Sequence, residues 1–268
     1  MSRRSVRRAI LAAALVVALV VPVAADAAGP SRWGYRIAAA RTYAQSRAGT
    51  VAFAVVDQRG RLRGYRVRAV APSASLLKPM LLVAYLRRAS VRDRPLTDDE
   101  RNMLGPMIRR SDNEAASTVL GLVGRTRLNR LARITGMTSF RLVTPYWGHS
   151  AITPRDQARY FHRIDRYVPA RHRRYAMHLL ATIVPSQRWG IARVAPDGWN
   201  LYFKGGWSTG TGLVDHQVAL LRRGKARVSL CITTRFNPDH KYGKQTLRGV
   251  ALRLVGGRWQ AGKTPGPR

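Results

Sequence analysis

The sequence predicts an α/β protein in which strands from both ends of the chain form one sheet layer around an inserted helical region. Apolar runs of strand length occur at residues 51–56 and again between residues 200 and 234, and turn residues separate them. From residue 75 to residue 198 the apolar residues instead recur at helical spacing. Strands at both ends with helices between them favour one α/β unit around a helical insertion.

The first 27 residues have the features of a secretory signal peptide. A basic start precedes an apolar stretch at residues 9–23, and Ala25-Asp26-Ala27 gives a small-residue cleavage point. The apolar stretch is shorter than the roughly 20 residues that span a bilayer. We expect cleavage after Ala27 and export to the cell envelope or the medium, with no stable membrane span afterwards. An uncleaved anchor is the alternative, and Ser2-Arg3-Arg4 leaves both the general and the twin-arginine export routes open.

The first elements after the leader follow from local patterns. Helical spacing covers residues 32–46, and the continuous apolar run at 51–56 indicates a buried strand. A turn at 57–60 precedes a second strand, which the alternation from residue 62 to residue 70 predicts. Residues 76–86 are apolar on nearly all sides, which is typical of a helix buried on every face.

The helical insertion continues at Thr97, where Thr97-Asp98-Asp99-Glu100 forms a capping box. That helix runs through Ile108 and ends at residues 111–113. Further helices are predicted at 114–123, from 127 to Gly136, from Thr153-Pro154 through Ile164, and at 175–184.

Strand patterns return near the end of the chain, at residues 200–203, 212–221 and 227–234, and a last helix is predicted at 245–255. One domain is therefore expected over residues 28–262, with the α/β layer at about 31–74 and 199–260 and the helical region at about 75–198. We expect residues 263–268 to be disordered. The single cysteine, Cys231, has no partner and is expected to be buried.

Basic residues dominate the charge: 48 Lys and Arg stand against 13 Asp and Glu, for a net charge of +35. Most are arginines spread along the whole chain, and the longest basic block is at residues 171–174. This pattern favours a positive surface that attracts anionic cell-envelope polymers, and it does not favour a shaped nucleic-acid groove. No His or Cys cluster has metal-ligand spacing, so we expect neither a metal nor an organic cofactor. We expect a monomer.

Two residues three apart suggest nucleophilic chemistry. Ser75 and Lys78 share one face of the start of a helix, so their hydroxyl and amine can lie close together. Surrounding apolar side chains lower a lysine pKa by desolvation, and such a lysine can accept the serine proton. The N–H groups of a helix start suit a developing oxyanion.

Two further segments follow in order, Ser111-Asp112-Asn113 and Lys204-Gly205-Gly206. With Ser75-x-x-Lys78 they resemble the serine penicillin-recognising superfamily, which comprises class A β-lactamases and related D,D-peptidases. The resemblance covers nearly all of the chain after the leader. It implies a β-lactamase/transpeptidase-like fold, with an antiparallel sheet formed by both termini, flanking helices and an inserted all-α region.

The resemblance also implies roles for individual residues. Ser75 would be the acylated nucleophile, Lys78 its general base, and Ser111 the relay that carries the proton to the leaving nitrogen. The implied substrate-binding residues are Asn113 for the amide, Lys204 for the carboxylate, Gly206 and Trp207 on the strand, with the N–H groups of Ser75 and Trp207 as the oxyanion hole. The alternatives are surface cap residues at 111–113 and a solvated lysine at the strand end.

This chain departs from the family pattern at two places. Gly205 replaces the usual hydroxyl residue, so one contact to a substrate carboxylate is missing, and Ser208 or Thr209 are candidates to replace it. The loop glutamate that activates water in class A β-lactamases is also missing, because the only glutamates are Glu100 and Glu114.

Residues 137–152 contain no carboxylate. Tyr146 and His149 lie in this stretch and are candidates to activate water, although an isolated histidine in such a loop is more often a packing or solvated residue. His216 is a candidate to face the cleft, the alternative being a structural histidine at the sheet edge.

The leading hypothesis is an exported serine hydrolase that forms an acyl-enzyme on Ser75. Its substrate would be a β-lactam, a D-Ala-D-Ala-type stem peptide of peptidoglycan, or a related ester, with slow release because the loop glutamate is missing. A second hypothesis is a non-catalytic cell-wall-binding protein of the same fold, held by its basic surface. A nucleic-acid binder ranks last.

Overall fold

The structure is a computed structural model, and it describes residues 32–210 and 212–256. The predicted signal peptide, its cleavage point and the predicted disordered tail lie outside these residues. The helices are α1 (Arg32–Gln45), α2 (Lys78–Leu86), α3 (Asp98–Arg109), α4 (Asn113–Ile134), α5 (Pro154–His162), α6 (Ile164–Tyr167), α7 (Arg173–Ala181) and α8 (His240–Val255). The strands are β1 (Thr50–Val56), β2 (Leu62–Tyr65), β3 (Ala71–Pro72), β4 (Ala151–Ile152), β5 (Asn200–Ser208), β6 (Val214–Arg223) and β7 (Ala226–Arg235).

Five strands form one antiparallel sheet in the order β2-β1-β7-β6-β5. The first and last parts of the chain meet where β1 pairs with β7, with Phe53 opposite Ile232. Successive residues of β1 are buried, so both faces of the sheet are covered. Helices α1 and α8 pack together against it, and α5 packs against β1, β6 and β7. The predicted α/β class and the antiparallel sheet built from both ends are confirmed.

The inserted helical region is organised around α2. Each residue of α2 is buried, as the all-round apolar pattern predicts, and α4 packs along it. The capping box at the start of α3 is present, since Glu100 N–H donates to Thr97 Oγ1 and Thr97 N–H donates to a carboxylate oxygen of Glu100. Gly124, at φ 73°, interrupts α4 at the boundary between the two helices predicted from the sequence.

Several predicted boundaries differ from the observed ones. The second strand ends at Tyr65 rather than near residue 70, because Arg66 adopts a positive φ and turns the chain. Strand β5 continues past residue 203 to Ser208, and β6 begins two residues later than predicted, after a turn with positive φ at Leu213. Helix α8 begins at His240 rather than residue 245, because the Asp239 side chain accepts a hydrogen bond from Tyr242 N–H and caps it.

The inserted region is not entirely helical. Strands β3 and β4 form a two-stranded ribbon that joins the segment before Ser75 to the segment before α5. Ser73 strengthens the link, because its N–H donates to the Ser150 carbonyl (2.7 Å) and its hydroxyl donates to the Trp147 carbonyl (3.2 Å). The loop that carries Tyr146, Trp147 and His149 is thereby held beside the start of α2. Cys231 is buried in β7, as predicted. None of the described helices is both long and apolar enough to cross a membrane.

Candidate active site

Ser75 lies in a 3₁₀ turn, Ala74–Leu77, which leads directly into α2, and Lys78 is the first residue of α2. Both side chains are largely removed from solvent, Ser75 being 8% exposed and Lys78 0%. The preceding residue, Ala74, has a φ of 42°, a conformation that side-chain-bearing residues rarely adopt. The tight turn aims the Ser75 hydroxyl into a cleft instead of along a regular helix surface.

One hydroxyl joins the three sequence motifs. Ser111 Oγ donates a hydrogen bond to Ser75 Oγ (2.9 Å), and it accepts hydrogen bonds from Lys78 Nζ (3.1 Å) and Lys204 Nζ (3.0 Å). The sequence predicts that Ser75 and Lys78 can contact each other directly, whereas the described side chains connect them through Ser111. The structure therefore brings together residues from the start of α2, the loop before α4 and strand β5.

Lys78 is held by further acceptors. Its Nζ also donates to the backbone carbonyl of Ser111 and to Asn113 Oδ1 (2.7 Å), and it lies 5.2 Å from the centre of the Trp147 ring. Ser111 has a φ of 62°, and this unusual backbone conformation accompanies the approach of both its carbonyl and its hydroxyl to the amine. Asn113 is exposed, so its amide reaches the cleft from the first turn of α4.

Burial shifts the pKa of both lysines in the same direction. Desolvation lowers the pKa of Lys78 to about 7, against a smaller opposing effect of the nearby Asp112 carboxylate. The pKa of Lys204 lies well below its ordinary value, because the amine is desolvated and because Lys78 is close. Two protonated amines on one hydroxyl would repel each other. The site thus holds a neutral amine near neutral pH, which is the form that can accept a proton.

Lys204 lies within β5, at the edge of the sheet, and not at the strand end as expected. Its amine also donates to the carbonyl of Gly205 (2.7 Å). Gly206 touches the nucleophile turn, since a Cβ added there would lie 2.9 Å from Ser75 N and 3.2 Å from Ala74 Cβ. Only glycine permits this approach of two backbones, and it places the β5 main chain against the N–H of Ser75.

The missing hydroxyl at position 205 has a structural explanation. A Cβ added at Gly205 would lie 3.1 Å from the Trp189 ring, so the indole occupies the space of a side chain. Trp189 meets the ring of Trp207 edge to face at 5.9 Å and the ring of His240 at 5.7 Å. The sequence analysis does not identify Trp189 or His240 as site residues. The available signal was Gly205, because a glycine at the position of the usual hydroxyl residue leaves space that another side chain can fill.

A buried carboxylate holds the His240 ring in place. Its Nδ1 lies 2.6 Å from Asp215 Oδ1, and Asn237 donates to the other carboxylate oxygen of Asp215 (2.9 Å). Burial raises the pKa of Asp215 to about 6, although His240 and Asn237 oppose that shift. The Asp215–His240 pair thereby supports the aromatic cluster beside β5, which consists of Trp189, Trp207 and His240.

The cleft above Ser75 has a volume of about 410 Å³. Its lining includes Ser75, Ser111 and Asn113, the loop residues Tyr146, Trp147 and His149, and Trp207 and Ser208 of β5. No Asp or Glu is among its lining residues. Ser208, a candidate to replace the missing hydroxyl, lines the cleft, whereas Thr209 does not.

The three additional candidate residues have different positions. Tyr146 and His149 line the cleft, with their rings edge to face at 6.2 Å. His216 does not line it, because β6 is an interior strand and the residue is fully buried. Its Nε2 lies 2.9 Å from the Pro72 carbonyl, and its Nδ1 accepts from Thr234 N–H (3.2 Å). His216 therefore has a structural role, and it lies neither in the cleft nor at the sheet edge. Among the described residues, no group of three His, Cys, Asp or Glu side chains is placed to hold a metal ion.

The sequence profile described as the beta-lactamase enzyme family matches residues 94–256, more than half of the chain. The chain belongs to the beta-lactamase enzyme family. The matched region contains Ser111, Asn113 and Lys204. Ser75 and Lys78 precede this region, and the structure places both side chains within hydrogen-bond distance of the Ser111 hydroxyl. Membership supports a serine hydrolase of β-lactamase type. Among curated protein sequences, none matches this chain.

Solved structures of class A β-lactamase type share the fold. The β-lactamase of Sphaerobacter thermophilus has a TM-score of 0.72 at 21% identity, covering 82% of this chain and 95% of that one. A β-lactamase of Xanthomonas campestris has a TM-score of 0.72 at 18% identity, covering 84% and 98%. The reconstructed class A enzyme of the last common ancestor of Gram-negative bacteria has a TM-score of 0.69 at 19% identity, covering 82% and 97%. The predicted β-lactamase-like fold is confirmed.

Proposed function

We propose that this protein is a serine acyl-transfer hydrolase that forms an ester on Ser75 with a β-lactam, a D-Ala-D-Ala-type peptide or a related ester, and releases the acyl group slowly. The observation that carries the proposal is the hydroxyl of Ser111, which bonds the Ser75 hydroxyl and two buried amines at once. A solvated surface serine has no such partners. The geometry is that of a nucleophile connected to a base.

Acylation follows from this connection. Hydroxyl hydrogens rotate freely, so Ser75 can donate to Ser111 while Ser111 donates to the neutral amine of Lys78. As Ser75 Oγ forms a bond to the substrate carbonyl carbon, its proton passes to Ser111 and the Ser111 proton passes to Lys78. When the carbon–nitrogen bond breaks, the proton returns through Ser111 to the leaving nitrogen. The products are the Ser75 ester and an amine, and Lys78 is neutral again.

The surrounding groups would position the substrate. The N–H of Ser75 and the main chain of β5 at Trp207 lie side by side because Gly206 permits their approach, and together they would stabilise the oxyanion. Asn113 would hold a substrate amide. A substrate carboxylate beside Lys204 would raise the pKa of that amine and restore its charge. Ser208 is the hydroxyl on this side of the cleft that would replace the one missing at Gly205.

Release of the acyl group requires an activated water molecule, and the cleft lining offers no carboxylate for that step. His149 is the titratable side chain of the loop best suited to the role, with Tyr146 beside it. His149 is exposed, and within the described part of the chain no hydrogen bond fixes its ring. We therefore propose slow turnover.

Export by the leader and retention at an anionic cell envelope are part of the same proposal. The charge supports retention, because a net charge of +32 remains once residues 1–27 are removed and a strongly positive surface concentrates anionic polymers around the protein. Peptidoglycan stem peptides would then be the natural substrates within reach.

The test is mass spectrometry of the intact protein during incubation with a fluorescent penicillin, followed by a time course after removal of the drug. We expect an adduct of one acyl group that persists for hours in the parent and is absent from Ser75→Ala. An adduct that disappears within seconds would contradict slow release and indicate an efficient β-lactamase. Absence of any adduct, with an activated D-alanyl ester also unreactive, would contradict acylation and favour the non-catalytic cell-wall-binding hypothesis.

A further inference from the structure

A second cavity lies at the opposite end of the two helices that carry the active site. It is lined by five arginines, Arg87, Arg88, Arg92, Arg127 and Arg130, with Ala84, Ala89, Leu131 and Ile134 between them. We call it the arginine cavity. Helix α2 starts at Lys78 and the cavity lies beyond its end, while α4 starts at Asn113 and contributes its second half. Its volume is about 270 Å³.

The face of α4 that lines the arginine cavity is regular. Arg127, Arg130, Leu131 and Ile134 are spaced at i, i+3, i+4 and i+7, so they lie on one side of the helix. Leu131 is buried, whereas Ile134 is 48% exposed. The cavity therefore has an apolar base with guanidinium groups around its rim.

The five guanidinium groups are poorly neutralised by the protein. Among residues 32–210 and 212–256, no Asp or Glu lines the arginine cavity. Arg92 pairs with the exposed Asp93, Arg87 donates to the Tyr167 carbonyl (2.9 Å), and Arg88 lies over the Tyr85 ring. Within the described residues, Arg130 has no hydrogen bond or ion pair. Like charges gathered in a concavity repel one another and attract an anion.

Helix ends explain only part of this arrangement. Arg87 and Arg88 follow the C-terminus of α2, where the helix dipole favours cations. Arg127 and Arg130 precede the last turn of α4, where the dipole effect has faded. On the cavity face they add positive charge that the helix dipole does not balance, and an anionic ligand would balance it.

We propose that the arginine cavity is a binding site for a phosphate-bearing anion. Planar guanidinium groups bind phosphate oxygens through paired hydrogen bonds, and several of them match a multiply charged group such as a pyrophosphate or a phosphodiester. The apolar base suits a ligand whose phosphate is attached to a carbon chain. This site is independent of acyl transfer, and a ligand held there leaves the cleft at the other end of α2 open.

The test is isothermal titration calorimetry of the full chain with inorganic pyrophosphate at low ionic strength. The cavity variant is Arg127→Gln with Arg130→Gln, and the matched control is Arg171→Gln with Arg174→Gln, which removes the same charge from exposed positions elsewhere. Glutamine keeps a high helix propensity, so α4 should remain folded, and thermal unfolding checks this. We expect at least about tenfold weaker binding for the cavity variant, since hydrogen bonds between charged groups are lost, and about the parent affinity for the control.

Sedimentation with phosphatidylglycerol vesicles, with phosphatidylcholine vesicles as reference, identifies the source of the phosphate. If the parent and the control variant sediment with the anionic vesicles and the cavity variant does not, the phosphate belongs to a lipid headgroup. Binding of pyrophosphate and linear polyphosphate without such retention would indicate a soluble or polymeric phosphate. The proposal is overturned if the parent does not bind pyrophosphate, if the cavity variant binds it as well as the parent, or if both variants lose affinity equally, which would mean a general effect of charge.

Discussion

The pH dependence of acylation should follow the protonation of Lys78. Only the neutral amine accepts the Ser75 proton, and desolvation lowers the pKa of Lys78 from 10.5 to about 7. About half of the protein then has a neutral amine at pH 7, about one hundredth at pH 5 and nearly all at pH 9. The acylation rate should therefore rise about 50-fold from pH 5 to pH 7 and only about twofold more from pH 7 to pH 9. A solvated lysine would instead give a tenfold rise per pH unit up to about pH 10.

Single-turnover acylation by a fluorescent penicillin, followed between pH 5 and pH 9, measures this profile. Ser75→Ala supplies the background, and thermal unfolding at each pH verifies that the protein stays folded over the range. A rate that climbs tenfold per unit through pH 9 would refute desolvation of Lys78. A flat profile would refute Lys78 as the base, because a base with a pKa of about 7 must lose its proton within this pH range.

Two substitutions test the geometry around Ser75. Gly206→Ala places a methyl group 2.9 Å from Ser75 N, so it should slow acylation by about 100-fold and cost about 1–3 kcal/mol of stability. Stopped-flow acylation and thermal unfolding measure the two effects. Gly105→Ala, whose methyl group meets open space in α3, is the control for acylation, which it should leave unchanged. His149→Ala should leave acylation unchanged and lengthen the adduct lifetime at least about tenfold if the ring activates water, and Tyr146→Phe tests the other candidate of the loop in the same assay. Equal lifetimes of parent and His149→Ala would exclude that role.

Most of the helices and strands can be predicted from local sequence patterns. The capping box of Thr97 and Glu100, the Thr153-Pro154 helix start and the all-round apolar pattern of α2 each depend on neighbours within a few residues, and each is present. The ribbon of β3 and β4 could not be predicted in this way. Each strand has two residues, too few for a periodic signal, and the pairing exists because distant parts of the chain already lie together.

The active site was predictable as a set of residues but not as a set of contacts. The motifs name Ser75, Lys78, Ser111 and Lys204, and the structure places the other three side chains around the hydroxyl of Ser111. That Ser111, and not a direct contact, connects Ser75 to Lys78 depends on the backbone conformation at position 111. A φ of 62° at a serine leaves no local sequence signal.

The aromatic cluster beside β5 was missed for a related reason. Trp189 lies 16 residues before Gly205, in a segment without regular periodicity, and only the tertiary fold brings its ring into the space above that glycine. Likewise, the sequence leaves His216 as either a cleft residue or a sheet-edge residue, because it does not give the order of the strands. In the sheet order, β6 lies between β7 and β5, which removes both possibilities.

The residues that line the cleft affect how fast different acyl groups would be released. In the proposed mechanism, the relay of Ser111 and Lys78 that returns a proton to the leaving nitrogen can also take a proton from an incoming nucleophile, because the reverse reaction uses the same groups. A linear peptide or ester loses its leaving group to solvent, so the space beside Ser111 becomes free for water or an amine. A β-lactam keeps its leaving nitrogen in the same molecule, and that nitrogen stays beside Ser111. Without a carboxylate elsewhere in the cleft lining, the linear substrate should be released faster than the opened lactam.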